Sequence, residues 1–82
     1  MQLKFIVIQL LKEKPYSGYD LMKAIHENSG WKPSPGSMYP VLDNLSKMKL
    51  VAVKANGKRK VYTLTEKGRR ESKELSSTAG KI

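Results

Sequence analysis

The chain has no cysteine, one histidine and only seven acidic side chains in 82 residues. Without cysteine there is no disulfide to brace so short a chain and no thiolate to hold a metal. A single imidazole, His26, does not make a metal site without carboxylate help, and no nearby spacing offers it, so no metal or other cofactor is expected. His26 reads as a surface or structural residue. No nucleophile and base can be assembled into a constellation, so an enzyme is not expected. No apolar run approaches the roughly 18 residues of a membrane span. Met1 to Leu11 is short and apolar, superficially like a signal peptide. No small-residue cleavage site follows, and Lys12, Glu13 and Lys14 come next, so the stretch reads as a helix of the mature fold. The absence of thiols fits a reducing cytoplasm, the expected location. Repeats and low-complexity blocks are lacking too.

What is abundant is positive charge. Sixteen Lys and Arg leave a net charge of +9. Residues 1–33 hold five basic and three acidic side chains, and residues 34–82 hold eleven and four, so most of the excess lies in the second part. A polyanion partner follows naturally, with nucleic acid the commonest. An anionic membrane surface and simple solubility are the rivals. One small domain is expected, with a core modest enough for oligomerisation to add usefully to its stability.

Punctuation divides the chain clearly. Leu3 to Lys14 reads as a helix stopped by Pro15, with Leu3, Ile6, Val7, Leu10 and Leu11 on one apolar face. Phe5 and Ile8 fall on roughly the opposite side, which suggests a second cover from another subunit. Ser17 suits an N-cap, with Asp20 three residues on, and a second helix runs from about Gly18 to Asn28. Leu21, Met22 and Ile25 face its core side, and Gly30 ends it. Trp31 reads as a packing plug in the linker that follows. Ser34 and Pro35 open a third helix with a stripe of Met38, Val41, Leu42, Leu45 and Met48. Pro40 leaves its start at either Pro35 or Ser37. Leu50 to Lys54 and Lys60 to Leu64 read as strands around the hairpin signal Asn56-Gly57. Thr65 caps a last helix from Glu66 to about Leu75. Residues 76–82 form a C-terminal tail or extend that helix, which Ser76 to Gly80 would continue poorly. The expected fold is mainly α with a small β-hairpin: helix, helix, helix, strand, strand, helix over residues 1–75. That order describes a winged helix-turn-helix with the third helix as reader and the hairpin as wing.

Three motifs carry a family resemblance. YSGYDLMKAI at residues 16–25 is similar to the start of the second helix in PadR-like transcriptional regulators. WKPSPGSMYPVL at 31–42 resembles that family's most recognisable stretch, and LTEKGRR at 64–70 resembles the exit from its wing. They stand in the family's order and cover about residues 3 to 75. The resemblance implies a DNA-binding winged helix, usually dimeric and usually a repressor. Two departures are visible. Asp43 and Asn44 stand where relatives often carry basic residues, and relatives have a longer C-terminal helical region.

The residues themselves suggest how double-stranded DNA would be held. The third helix turns Gly36, Tyr39, Pro40, Asp43 and Lys47 outward, with Asn44 at the edge. Asn44 suits bidentate pairing with adenine, and Asp43 suits cytosine N4 or an ion pair with Lys47 at i+4. Tyr39 offers a hydroxyl to phosphate, while Ser34 and Ser37 stand at the helix start, where phosphate is favoured. Tyr16, Ser17 and Tyr19 stand at the second helix's start, also suited to phosphate, and one of the two tyrosines is expected to be partly buried. The wing offers Lys54, Lys58, Arg59 and Lys60 to the backbone, Arg59 to a minor groove. The plainer alternatives are a solvated helix face and lysines that protect a strand edge. For a homodimer, Phe5 and Ile8 would meet Leu75, Ala79 and Ile82 of a second copy. The leading expectation is a sequence-specific repressor that occupies a promoter. A winged helix used as a protein-interaction module and non-specific nucleic-acid compaction are the alternatives. No small-molecule effector can be assigned from the sequence.

Overall fold

The computed structural model describes residues 3–72. Helix α1 (Leu3–Leu11), a short strand β1 (Tyr16–Ser17), helix α2 (Gly18–Ser29) and helix α3 (Pro35–Lys47) are followed by strands β2 (Val51–Asn56) and β3 (Arg59–Leu64). A last helix, α4, begins at 66 and its described part reaches 72. The mainly helical order with a hairpin is the one expected. None of the described helices is long and apolar enough to cross a membrane.

Local chemistry accounts for the boundaries. Ser17 caps α2 by accepting the Asp20 amide on its hydroxyl at 3.0 Å. Gly30 closes that helix at φ 79, a left-handed position that costs glycine nothing, and its amide donates to the His26 carbonyl. Helix α3 starts at Pro35, the earlier of the two candidate boundaries, so Pro40 lies inside it. Proline offers no amide to the carbonyl four residues back, that of Gly36, and Gly36 is exposed, so water can serve it.

The end of α3 has an unusual feature. Lys49 adopts φ 62, the only non-glycine among the described residues with a positive φ. Its amide donates to the Ser46 carbonyl at 3.0 Å and the Leu50 amide to the Leu45 carbonyl at 2.9 Å. These two bonds form a Schellman ending, with lysine where glycine is usual and with Leu50 packed beside Leu45, both buried. The turn drops the chain directly into β2.

The core is one cluster drawn from α1, α2, α3, β2 and β3, with Tyr16 of β1 packed against it. Val7, Leu11, Leu21, Ile25, Met38, Leu42, Leu45 and Leu50 are essentially inaccessible to solvent. Truncating any of the leucines to alanine would cost about 2–5 kcal/mol. The α3 stripe behaves as its spacing requires, except that Met48 lies at the helix end and stays exposed.

Three expectations need correction. Ile8 does not point away from the core; it is buried in it at 5% exposure, while Phe5 is exposed at 39%. The buried face of α1 is centred on Val7, Ile8 and Leu11, and Leu3, Ile6 and Leu10 are only half-buried beside it. The helix meets α2, α3 and β3, and Val7, Ile8 and Leu11 are the residues it buries in the shared core. Trp31 is half exposed rather than a plug, since Pro33 fills the interior position in that linker. The sheet has three strands, not two. Tyr16 and Ser17 pair antiparallel with Tyr62 and Val61, which makes β3 the central strand in the order β1-β3-β2. Leu75, Ala79 and Ile82, and the tail 76–82, lie outside the described residues.

The hairpin register also differs by one residue from the simplest reading of Asn56-Gly57. Asn56 pairs with Arg59, so the two turn residues are Gly57 and Lys58. Gly57 takes φ 65 and Lys58 does not share a positive φ, the pattern of a type II′ turn with glycine first. Lys58 thereby stands at the wing tip.

Candidate nucleic-acid interface

The third strand contact fixes where the wing stands. β1 ties the start of α2 to β3, so the N-terminus of α2 and the wing cannot move independently. Helix α3 packs against α1 and α2 through Met38, Leu42 and Leu45, leaving its opposite side outward. Ser34, Gly36, Ser37, Tyr39, Asp43, Asn44 and Lys47 are all exposed, as are Lys54, Lys58, Arg59 and Lys60.

Part of this set converges. Ser17 and Tyr19 from α2, Tyr39 from α3 and Lys58, Arg59 and Lys60 from the wing line a single cleft of about 370 Å³. Two further residues complete it that were not singled out from the sequence. Gly18 brings the α2 backbone so close to Tyr39 that an added Cβ would sit 3.0 Å from the ring and hydroxyl. Tyr62 closes the cleft from β3. Its phenol is held above its usual range, chiefly by burial and then by neighbouring Tyr39 and Asp43. It therefore stays a neutral hydrogen-bonding group under all ordinary conditions. A contiguous groove of about 280 Å³ runs between α3 and the sheet past Tyr39, Asp43, Lys60 and Val53. The surface thus joins the reader helix to the wing.

Other members of the set stand apart. Ser34, Gly36, Ser37, Asn44, Lys47 and Lys54 do not line either of these clefts. Ser34 does not cap α3 with its side chain; its hydroxyl lies 3.3 Å from that of Ser37. Ser17 is buried at 6% and occupied by its cap, so its accessible polar atoms are few. Of the two tyrosines, Tyr16 is half-buried, with Lys14 above its ring, and Tyr19 is 64% exposed.

Two ion pairs modify the electrostatics. Lys47 and Asp43 meet at 3.2 Å across one helical turn, the simpler role weighed for Asp43. Arg59 reaches Asp20 on α2 at 3.4 Å. Both are well exposed and add little stability. The second matters more for position, because it lays the guanidinium against the start of α2. Asp20 spends its carboxylate there instead of reaching back to complete a capping box. Among the described residues, no group of three or more His, Asp or Glu side chains is arranged to hold a metal.

A three-helix core, an outward third helix and a basic antiparallel hairpin beside it define a winged helix-turn-helix protein. The model of the PadR-like family of transcriptional regulators matches residues 7–74, and the chain belongs to that family. The family is one of regulators, not of enzymes. The chain is 34% identical over 70 residues to transcriptional regulator YqjI of Escherichia coli strain K12, covering 82% of this chain and 34% of that protein. The chain thus spans about a third of the length of that curated relative. Bacillus subtilis PadR, solved in complex with operator DNA, superposes with a TM-score of 0.81 at 28% identity, over 89% of this chain and 45% of that one. A PadR family regulator from Eggerthella lenta superposes with a TM-score of 0.82 at 29% identity, over 95% and 71%.

Proposed function

We propose that this protein binds double-stranded DNA at preferred sequences and represses transcription by occupying a promoter as a homodimer. One observation carries the reading. The exposed face of α3 and the cations of the wing tip share a surface through Tyr39, with the start of α2 between them. A reader helix needs the major groove, and a wing needs the flanking backbone, so the two must face the same way. That a B. subtilis relative of the same fold was solved in complex with operator DNA supports DNA as the partner.

The roles divide by chemistry. Lys58, Arg59, Lys60 and Lys54 supply charge to phosphates. Asn44, with two-way hydrogen bonding, supplies choice among bases, and Tyr19, Tyr39, Ser34, Gly36 and Ser37 hold the backbone at the helix starts. Arg59 leaves Asp20 for the DNA as the wing seats. Residues 1–75 act as the DNA-binding domain, working in the prokaryotic cytoplasm where the nucleoid lies. A second reading, a protein-interaction module, draws on the Asp43–Lys47 pair, which leaves the middle of the reader face near neutral.

Selection of bound sites from random duplexes tests the proposal. A near-palindrome with half-sites about one helical turn apart should emerge. Recovery of unenriched sequence would contradict it.

A further inference from the structure

A second cationic cleft shares Tyr19 and Ser34 with the surface described above, but its cations have no role in the division of labour given there. It lies between α2 and the linker into α3, with a volume of about 530 Å³. Buried Met22 and Pro33, with the ring of Tyr19 and Pro35, make it mostly apolar. Lys23, Lys32 and His26 stand around it, all exposed. Lys23 has Asp20 three residues before it and Glu27 four residues after it, the spacings at which helix side chains pair. Yet among the described residues neither Lys23 nor Lys32 forms an ion pair. Two cations are left uncommitted beside apolar surface.

Tyr19 connects this cleft to the other one. It lines the wing cleft with Tyr39 and Lys58 and also lines this cleft with Met22 and Lys23. The two cationic clefts are therefore neighbours, on either side of one exposed ring. Pro35 places the new cleft at the first residue of α3, whereas the wing cleft touches the same helix further along, at Tyr39.

We propose that this cleft is a second DNA-backbone site, which seats a stretch of deoxyribose-phosphate beyond the base-reading helix. The inference rests on the DNA-binding reading above. A sugar-phosphate backbone alternates an apolar ring with an anionic group, and the cleft offers apolar surface with cations around it. A free phosphate would use the cations and waste the floor. Tyr19 and Pro33 pack on the sugars, and Lys23 and Lys32 neutralise phosphates.

The test compares the salt dependence of binding to the selected duplex for wild type, a Lys23→Ala/Lys32→Ala variant and a Lys58→Ala variant. Each lost phosphate contact lowers the slope of log K against log salt by about 0.9, so the double variant should lose about 1.8. Both lysines are exposed, and an unchanged thermal midpoint will show that the fold is intact. A methylphosphonate placed at each backbone position in turn then locates the contacts. Two neutral positions, one for each lysine, should weaken wild type and leave the double variant unaffected. If Lys58→Ala flattens the slope but the double variant does not, this cleft is not a backbone site although the protein binds DNA. If the double variant keeps the wild-type slope and decanoate displaces DNA only when both lysines are present, the cleft belongs to a small amphipathic anion and the proposal is overturned. If wild type itself shows no salt-dependent binding, the DNA-binding reading fails first.

Discussion

Replacing Gly68 with alanine should destabilise the protein more than almost any other single-methyl addition. Gly68 sits in the first turn of α4 with its amide donating to the Thr65 hydroxyl at 3.0 Å. A Cβ there would fall on the Leu50 carbonyl oxygen and lie 2.7 Å from Leu64 Cδ1. The carbonyl is backbone and cannot swing aside. It already accepts the Thr65 amide at 3.0 Å, and the Thr65 hydroxyl is shared between it at 3.0 Å and the Lys49 carbonyl at 2.7 Å. The helix must withdraw by about 1 Å to restore ordinary contact. Losing both Thr65 bonds costs about 1 kcal/mol each, overpacking against Leu64 adds about 1–3 kcal/mol, and alanine's better helix propensity returns about 1 kcal/mol. The net loss is about 3 kcal/mol, a large share of the about 5–15 kcal/mol that a domain possesses. Urea titration followed by far-ultraviolet circular dichroism reads it as a lower midpoint at unchanged slope. Gly36→Ala is the control, since only the Ser34 hydroxyl lies near its added methyl, at 3.8 Å, and it should be neutral or stabilising. A Gly68→Ala loss below about 0.5 kcal/mol would refute the packing argument.

Lys49→Gly should stabilise the protein by about 0.5–1 kcal/mol in the same titration, because lysine occupies a left-handed position. Lys58→Ala should weaken binding to selected and random duplexes alike and lower the salt slope by about 0.9; an unaltered slope would make the wing a protected strand edge only. Asn44→Ala should cost about 1–3 kcal/mol on the selected site and far less on random DNA, measured by fluorescence anisotropy. Phe5→Glu should shift a dimer to monomer in sedimentation, the exposed Phe5 and half-buried Ile6 and Leu10 being the apolar surface that a second copy would cover. A wild type that sediments as a monomer at high concentration contradicts the homodimer.

The helices were legible in number and order because caps and periodicity agree, although α1 ends at Leu11 and not at the Lys14 expected before Pro15. Ser17, Gly30, Pro35 and Thr65 each mark a boundary by backbone chemistry that acts within four residues. The rotation of α1 was not legible, because Phe5, Ile6, Val7 and Ile8 are apolar in succession. A helix apolar on most sides does not say which side its neighbours cover. Strand β1 was invisible for a related reason. Two residues carry no periodicity, and Tyr16 and Ser17 become a strand only by pairing with Tyr62 and Val61, far along the chain. Of the surface, the wing cations and Tyr39 could be found from charge and helical phase. Tyr62 could not, since it reads as an ordinary β residue until the sheet places it beside Tyr39 and Lys60. Gly18 could have been suspected from its place in the YSGYD motif, although the ring it accommodates comes from another helix.

Reading of DNA sequence by this surface is measured by a ratio. Affinity for the selected duplex and for a scrambled duplex of equal length should be measured by anisotropy at one stated salt concentration. A preference of about a thousandfold or more is expected, the range of specific regulators. Equal affinity for the two duplexes would leave only charge-driven association, and no measurable affinity for either would make the reader face a surface for another protein.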